Sequence, residues 1–425
     1  MSRWLSRKHK TYYLLCGAAI FLGIVLGKTR ILLLGLPFGI MALLPLLRPF
    51  TAQMAASSQV SHRTAFEGET VSVKLTIHAV TELPCLQVTH ILHYPDGSRP
   101  EVTVMLLSLA SGETRELECE IHLEARGEYL VDHFEFQSLD PEHMVWTKHP
   151  TEGGRVVAAY PRLVKVQLPS GGMRQLGHYT GNYVSQRPGE GTELAEIRRY
   201  VAGDATKHIN WKASLKWQSL HVNARLQEKN ADVVFVVDTM QDIGGRPNSY
   251  LDRTARGVAS LANCFLERKD RVGFIEYGGT VSWLRPAYGK RHTYRILHRL
   301  ARLVPSGSHA FREMDSLPMQ ALPAEATLFV FTPLMDRRSM RMLVSLALRG
   351  FRPIVVYLSP CQLAKGELAQ FPPEPLVQRW WEYEQARKLR ELRRSGLTVV
   401  RWDGEVTSLG PVLAAAAESR RGRVS

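Results

Sequence analysis

The chain has 425 residues, a formal net charge of +14 and 45% hydrophobic residues. That length exceeds one typical domain and predicts two or three, each with its own core, in a composition that is globular. Five scattered cysteines, Cys16, Cys85, Cys119, Cys264 and Cys361, argue against a disulfide framework and suit a reducing compartment.

Residues 1–10 are basic, with Arg3, Arg7, Lys8 and Lys10. Two uncharged runs follow, Thr11–Gly27 and Ile31–Leu47, with only "KTR" between them. Each is near the lower limit for a spanning helix, and the second follows too closely for a cleaved signal peptide. The expectation is a retained transmembrane helical hairpin over 11–48. The basic flank favours the cytoplasmic side, so the hairpin returns the chain there. This describes a multi-pass protein of the cell membrane with cytoplasmic soluble domains. Anionic headgroups of the lipid bilayer then account for the positive charge. Zinc-finger spacing, a recognition-helix signature and an aromatic RNA-binding strand are all missing, so nucleic acid is not an expected partner.

In "EGETVSVKLTIHAV" the residues Val71, Val73, Leu75 and Ile77 alternate with polar neighbours, the period of a half-buried strand. "ELECEIHLE" and "EYLVDHFEF" repeat the pattern, with turns at "PDGS" and "ASGE". Residues 61–169 are therefore predicted to be an antiparallel β-sandwich. From residue 231 the pattern changes. "ADVVFVVD" is apolar throughout, as in a strand covered on both faces. Helical stripes and short apolar strands then alternate to the C-terminus, which predicts a doubly wound parallel sheet over 231–425. Residues 170–230 connect the two domains.

Ligands of such sheets bind at the carboxyl ends of the strands. Asp238 ends the first strand and Asp242 follows in "DTMQD", so two carboxylates there could take a hard cation such as Mg²⁺. The alternative is that Asp238 caps a loop or helix and Asp242 is solvated. "GIVLGKT" is not a phosphate-binding loop, because Gly23 and Gly27 enclose three residues rather than four. No H-E-x-x-H pairing supports a zinc hydrolase.

A strand ending in Asp238 ahead of an alternating α/β region resembles the von Willebrand factor A domain. Its metal site has the pattern Asp-x-Ser-x-Ser, and here Met240 and Asp242 replace the two serines. A further family Asp is replaced by Thr332 and Pro333, with Asp336 nearby. The resemblance thus implies a degraded adhesion site, with no cofactor beyond a weakly held Mg²⁺.

The most specific match lies in "GTELAEIRRYVAGDATKHINWKAS". Glu193, Arg198, Tyr200, Gly203, Asp204, Lys207, Ile209, Trp211 and Lys212 stand at the offsets of the domain of unknown function 58 family, and "ARGEYLVDHFEFQSLDPEH" matches its β-domain. This resemblance covers nearly the whole chain. It implies two membrane helices, a β-domain, a von Willebrand A-like domain, and a neighbourhood of MoxR-type AAA ATPases and transglutaminase-like membrane proteins.

Read from the residues alone, the segment suits a structural clasp. Gly203 and Asp204 make a tight turn, Ile209 and Trp211 form the buried side of a short strand, and Arg198 forks onto Asp204 or Glu193. A partner surface, a ligand site and an enzyme site remain the other readings. The expected role is a membrane-anchored, non-enzymatic scaffold or adaptor, with a MoxR-type AAA ATPase as partner. A metal-dependent adhesion module and a hydrolase are the rivals.

Overall fold

In this computed structural model the described residues are 3–47, 51–95, 97–151, 153–167, 188–202, 204–226, 232–306, 317, 322–323, 326–364 and 375–421. They divide into two units, Met1–Tyr160 and Pro161–Ser425.

The first unit contains β1 (Arg3–Leu5), α1 (Arg7–Val25), α2 (Thr29–Leu47), β2 (Met54–Val60), β3 (Thr64–Phe66), β4 (Thr70–Ala79) and β5 (Leu83–His93). It continues with β6 (Glu101–Leu109), β7 (Thr114–His122), β8 (Gly127–Leu139), β9 (Val145–Lys148) and β10 (Val156–Tyr160). One sheet is β2-β4-β7; the other runs β1-β9-β8-β10-β3, with β5 joining β6 to β8. Alternation decides what each strand buries. Val71, Val73, Leu75 and Ile77 of β4 share one core with Leu86 and Val88 of β5 and Phe134 and Phe136 of β8.

Strand β8 contributes to this core by changing parity. Tyr129 and Val131 are buried before Asp132, Phe134 and Phe136 after it, and the pairing with β5 slips between Ile91 and His93. A buried carboxylate is tolerated only with hydrogen-bond donors. Asp132 receives them from Ser58 Oγ at 3.1 Å and from the backbone N–H groups of Gly154 at 2.9 Å and Arg155 at 2.6 Å.

The expected membrane hairpin is corrected by this structure. Among the described residues no helix is long and apolar enough to cross a membrane. Helix α1 starts at Arg7, so Arg7, Lys8 and Lys10 lie inside it, and its uncharged part, Thr11–Val25, spans about 22 Å. The corresponding part of α2, Ile31–Leu47, spans about 25 Å, against a hydrocarbon core of about 30 Å. The multi-pass, cell-membrane assignment that rested on these helices falls with them. The N-terminal segment is instead held by the β-unit. β1 pairs antiparallel with β9, Ser6 Oγ donates to the His143 carbonyl at 2.8 Å, and Lys8 Nζ donates to that of Glu142 at 3.0 Å. The two helices pack through small residues, a Cβ on Gly35 falling 3.0 Å from Ala19.

The second unit begins its regular structure with β11 (Pro188–Arg199), α3 (Trp211–Trp217) and β12 (His221–Leu226). β11 and β12 form a two-stranded antiparallel sheet. There follow β13 (Asp232–Asp238), α4 (Tyr250–Glu267), β14 (Arg271–Tyr277), β15 (Val281–Ala287), α5 (Lys290–Ala301), β16 (Thr327–Thr332) and α6 (Arg337–Leu348). The chain closes with β17 (Ile354–Leu358), α7 (Pro360–Leu363), α8 (Pro375–Arg394), β18 (Thr398–Trp402) and α9 (Leu409–Arg421).

The main sheet has the order β15-β14-β13-β16-β17-β18, parallel except for the edge strand β15. The continuous apolar sequence of β13 follows from its central place. Val234 and Val236 pack with Met342 and Leu343 of α6 and Leu389 of α8. Phe235, on the other face, lies 6.1 Å from Phe265 of α4 and 5.6 Å from Phe329 between ring centroids. The strand order reverses between β13 and β16, a topological switch point where a crevice opens at the strand carboxyl ends.

Candidate functional site

Asp238 closes β13 at this switch point and is 1% exposed. Its carboxylate accepts from Thr332 Oγ1 at 2.6 Å, Ser339 Oγ at 2.6 Å and the Met240 N–H at 3.1 Å. Thr332 ends β16 and Ser339 lies in the first turn of α6, so both arrive from the far side of the crossover. Burial pushes the Asp238 carboxyl above the usual carboxylate range, and the two hydroxyls and the amide pull it back. Burial, with the Asp238 charge second, also lifts the Tyr250 phenol well above its ordinary value. That phenol donates to the Phe331 carbonyl at 2.9 Å.

Asp242 does not join Asp238 as a cation ligand pair. It accepts from the N–H groups of Ile243 at 3.1 Å and Leu251 at 2.9 Å, which ties the loop to the first turn of α4. Asp336, the nearest further acid, caps α6 through the Arg338 N–H at 2.8 Å and takes the Arg338 guanidinium at 3.1 and 2.8 Å. Arg338 holds it below the usual carboxylate range. Mg²⁺ takes hard oxygen ligands in octahedral geometry. Met240 offers a soft thioether, the carboxylates face protein donors, and among the described residues no cluster of His, Cys, Asp and Glu side chains is suited to a metal.

The signature segment folds as a small module between β11 and β12. Arg198 forks onto Asp204, with Nη1 to Oδ2 at 2.8 Å and Nη2 to Oδ1 at 2.7 Å. The Val201 N–H adds a third bond to Asp204 at 2.9 Å. The guanidinium keeps the Asp204 carboxyl below its usual range. The Tyr200 N–H donates to the Leu220 carbonyl at 2.8 Å, and Ile209 forms a bridge with Val222. Lys207, in the 3₁₀ turn Thr206–His208, and Lys212, in α3, are exposed. Glu193 lies in β11 and its side chain, like Gly203, is outside the described residues.

Trp211 departs from expectation. It opens a helix instead of continuing a strand, and it is 65% exposed. Four alternating residues are too few to fix a period, and Asn210 decides the matter as the helix N-cap. Its Oδ1 accepts from the Ala213 N–H at 3.0 Å, its Nδ2 donates to Asn223 at 2.8 Å, and its N–H donates to the His221 carbonyl at 2.8 Å. Ser214 Oγ donates to the Asn210 carbonyl at 2.8 Å and accepts from the His221 N–H at 2.9 Å. Asn210 and Ser214 thus brace the module, roles the motif spacing did not reveal. The available signal was an asparagine ahead of a helix-forming run. On the outside of this frame Leu215 is 81% and Trp217 51% exposed.

Residues 196–354 match the family model described as protein of unknown function DUF58. The matched segment includes Arg198, Asp204 and Asp238, and runs from the signature module to the start of β17. No curated protein matches the chain. Among solved structures, the CARDB domain of the PF1109 protein from Pyrococcus furiosus is 11% identical over 25% of this chain and 88% of that one, with a TM-score of 0.18. A β-glucosidase from Listeria innocua is 12% identical over 25% of this chain and 16% of its own, also at 0.18. The alkylpurine DNA glycosylase AlkC from Pseudomonas fluorescens is 14% identical over 28% and 36%, again at 0.18. Similarities at that TM-score carry no argument about fold or chemistry.

Proposed function

We propose that this chain is a non-enzymatic scaffold whose DUF58 segment, containing a von Willebrand A-like sheet, binds another protein. The observation that carries the reading is the exposure of Trp211, Leu215 and Trp217 along α3, on a module braced by the Asn210 and Ser214 hydrogen bonds. Exposed aromatic and aliphatic side chains on a rigid frame are the usual anchors of a protein interface. The candidate acids are engaged: Asp204 is held by Arg198, and Asp238 by Thr332 and Ser339. Acid–base catalysis needs a carboxyl within reach of a substrate, and these two face protein donors.

The partner class is a MoxR-type AAA ATPase, as the DUF58 resemblance implies. The test is binding of the purified full chain to a purified ATPase of that type, measured by biolayer interferometry. The variant Trp211→Ser with Leu215→Ser is expected to lose binding and Asp238→Asn to keep it. Binding unchanged in the double variant rejects the surface; no binding by the parent chain rejects the partner class. Binding that requires Mg²⁺ and is lost in Asp238→Ala would favour the adhesion-module rival instead.

A further inference from the structure

A cavity of about 1170 Å³ opens at the carboxyl ends of β17 and β18, bounded by α8 and by residues that follow β13 and β16. Small-molecule sites span roughly 300–1,000 Å³ and combine an apolar lining with a few placed polar groups. Here Val377, Trp381 and Leu389 of α8 supply apolar wall, joined by Trp402 and Val412. The site is separate from the signature module and from the Asp238 cluster, and its role goes beyond the scaffold reading.

Two polar groups define what the cavity lacks. Gln385 lines it and is 6% exposed. The Tyr357 hydroxyl donates to its Oε1 at 3.4 Å, which turns the amide so that Nε2 has no acceptor among the described residues. Burial pushes the Tyr357 phenol up to about 12, against a hydrogen bond with Ser359 that pulls it down. A buried N–H without an acceptor is costly, and the missing partner is an oxygen. Arg401 lines the same cavity and is the register partner of Tyr357 across β17 and β18, which places a cation at the same end. Two acids also line the cavity, each held by neutral donors that leave its charge in place. Asp403 Oδ1 accepts from the Glu405 N–H at 2.9 Å and Ser408 Oγ at 2.6 Å, and Glu382 accepts from Gln378 at 3.2 Å.

We propose that this cavity binds a small organic acid with an aromatic body, the carboxylate meeting Gln385 Nε2 and Arg401 and the ring lying against Trp381. A carboxylate supplies the acceptor that Gln385 lacks and the charge that Arg401 complements. The apolar wall provides for the ring.

The experiment is titration calorimetry of the full chain with 2-naphthoate and with 2-naphthamide, which keeps the acceptor and loses the charge. The parent chain is expected to bind 2-naphthoate saturably at one site. Gln385→Leu, similar in volume but without the donor, should weaken both ligands about tenfold. Arg401→Gln, a change at an exposed side chain, should weaken 2-naphthoate about tenfold and leave 2-naphthamide unchanged. If Gln385→Leu fails to fold, the Arg401→Gln contrast alone decides. Absence of saturable binding by the parent chain overturns the proposal, as does equal weakening of both ligands by Arg401→Gln. A Gln385→Leu chain that folds and binds as the parent does also overturns it.

Discussion

Asp238→Ala removes the acceptor of three donors at once, Thr332 Oγ1 and Ser339 Oγ at 2.6 Å and the Met240 N–H at 3.1 Å. Each donor orphaned in a dry site costs about 1–3 kcal/mol. Relief of a buried charge offsets part of that sum, so the expected loss is about 3–5 kcal/mol. Asp238→Asn keeps the shape and one acceptor, and the two hydroxyls can turn to accept from the new amide, so it should cost about 1 kcal/mol. The pH dependence separates this buried cluster from an ordinary salt bridge. Because burial raises the Asp238 carboxyl, its contribution is fully present below the ordinary aspartate value and is lost as pH rises through the folded value. The Asp238→Asn deficit should therefore be largest in acid and shrink as pH rises. Urea denaturation of the full chain, followed by far-ultraviolet circular dichroism over a pH series, measures each quantity. An alanine cost below about 1 kcal/mol would refute the reasoning, as would a deficit that grows with pH. So would a Mg²⁺-induced rise in the parent midpoint that Asp238→Ala abolishes.

Three further outcomes are expected. The Arg198–Asp204 contribution is present above the ordinary aspartate value and is lost as pH falls through the lowered folded one. Hydrogen-exchange protection over residues 198–214 should hold until that acid range and then collapse, and protection unchanged by Arg198→Gln would contradict the clasp. Asn210→Ala removes the cap of α3 and the bond to Asn223, a loss of about 1 kcal/mol. Faster exchange confined to 210–223 would register it, and none would mean the module is braced elsewhere. In Gly257→Ala the new Cβ would stand 2.7 Å from Trp402 Cη2 and 3.1 Å from Leu409 Cδ1. Overpacking there should cost about 1–3 kcal/mol in thermal unfolding, and an unchanged midpoint would show that the indole yields.

Sequence pattern reaches some of these features and misses others for definable reasons. β13 is legible because a strand covered on both faces must be apolar at every position, and "VVFVV" has no other economical use. The apolar runs at the N-terminus are ambiguous by composition, and what decides is where α1 begins, with Arg7 and Lys8 inside the helix. Trp211 departs from its alternation because its neighbour Asn210 acts through one cap bond, which outweighs a four-residue pattern. Arg198 and Asp204 are close enough in sequence for their pairing to be foreseen. The adhesion-site pattern alone places Thr332 near Asp238, and nothing in the sequence places Ser339 there, since only the crossover from β13 to β16 brings its hydroxyl to the carboxylate. The short edge strand β15 was equally hidden, because Pro286 and Arg285 blur its alternation.

The Asp238 cluster also sets a timetable for synthesis. Thr332 and Ser339 follow Asp238 by 94 and 101 residues, an interval of roughly 5–20 s at ordinary ribosomal rates. During that time α4, β14, β15 and α5 have been made, yet the carboxylate has no dry partner and keeps its water. Until then β13 has no neighbour on its β16 side, and Val236 lacks the α6 and α8 side chains that cover it. Closure comes only when β16 and the first turn of α6 arrive, so the two halves of the sheet become native together.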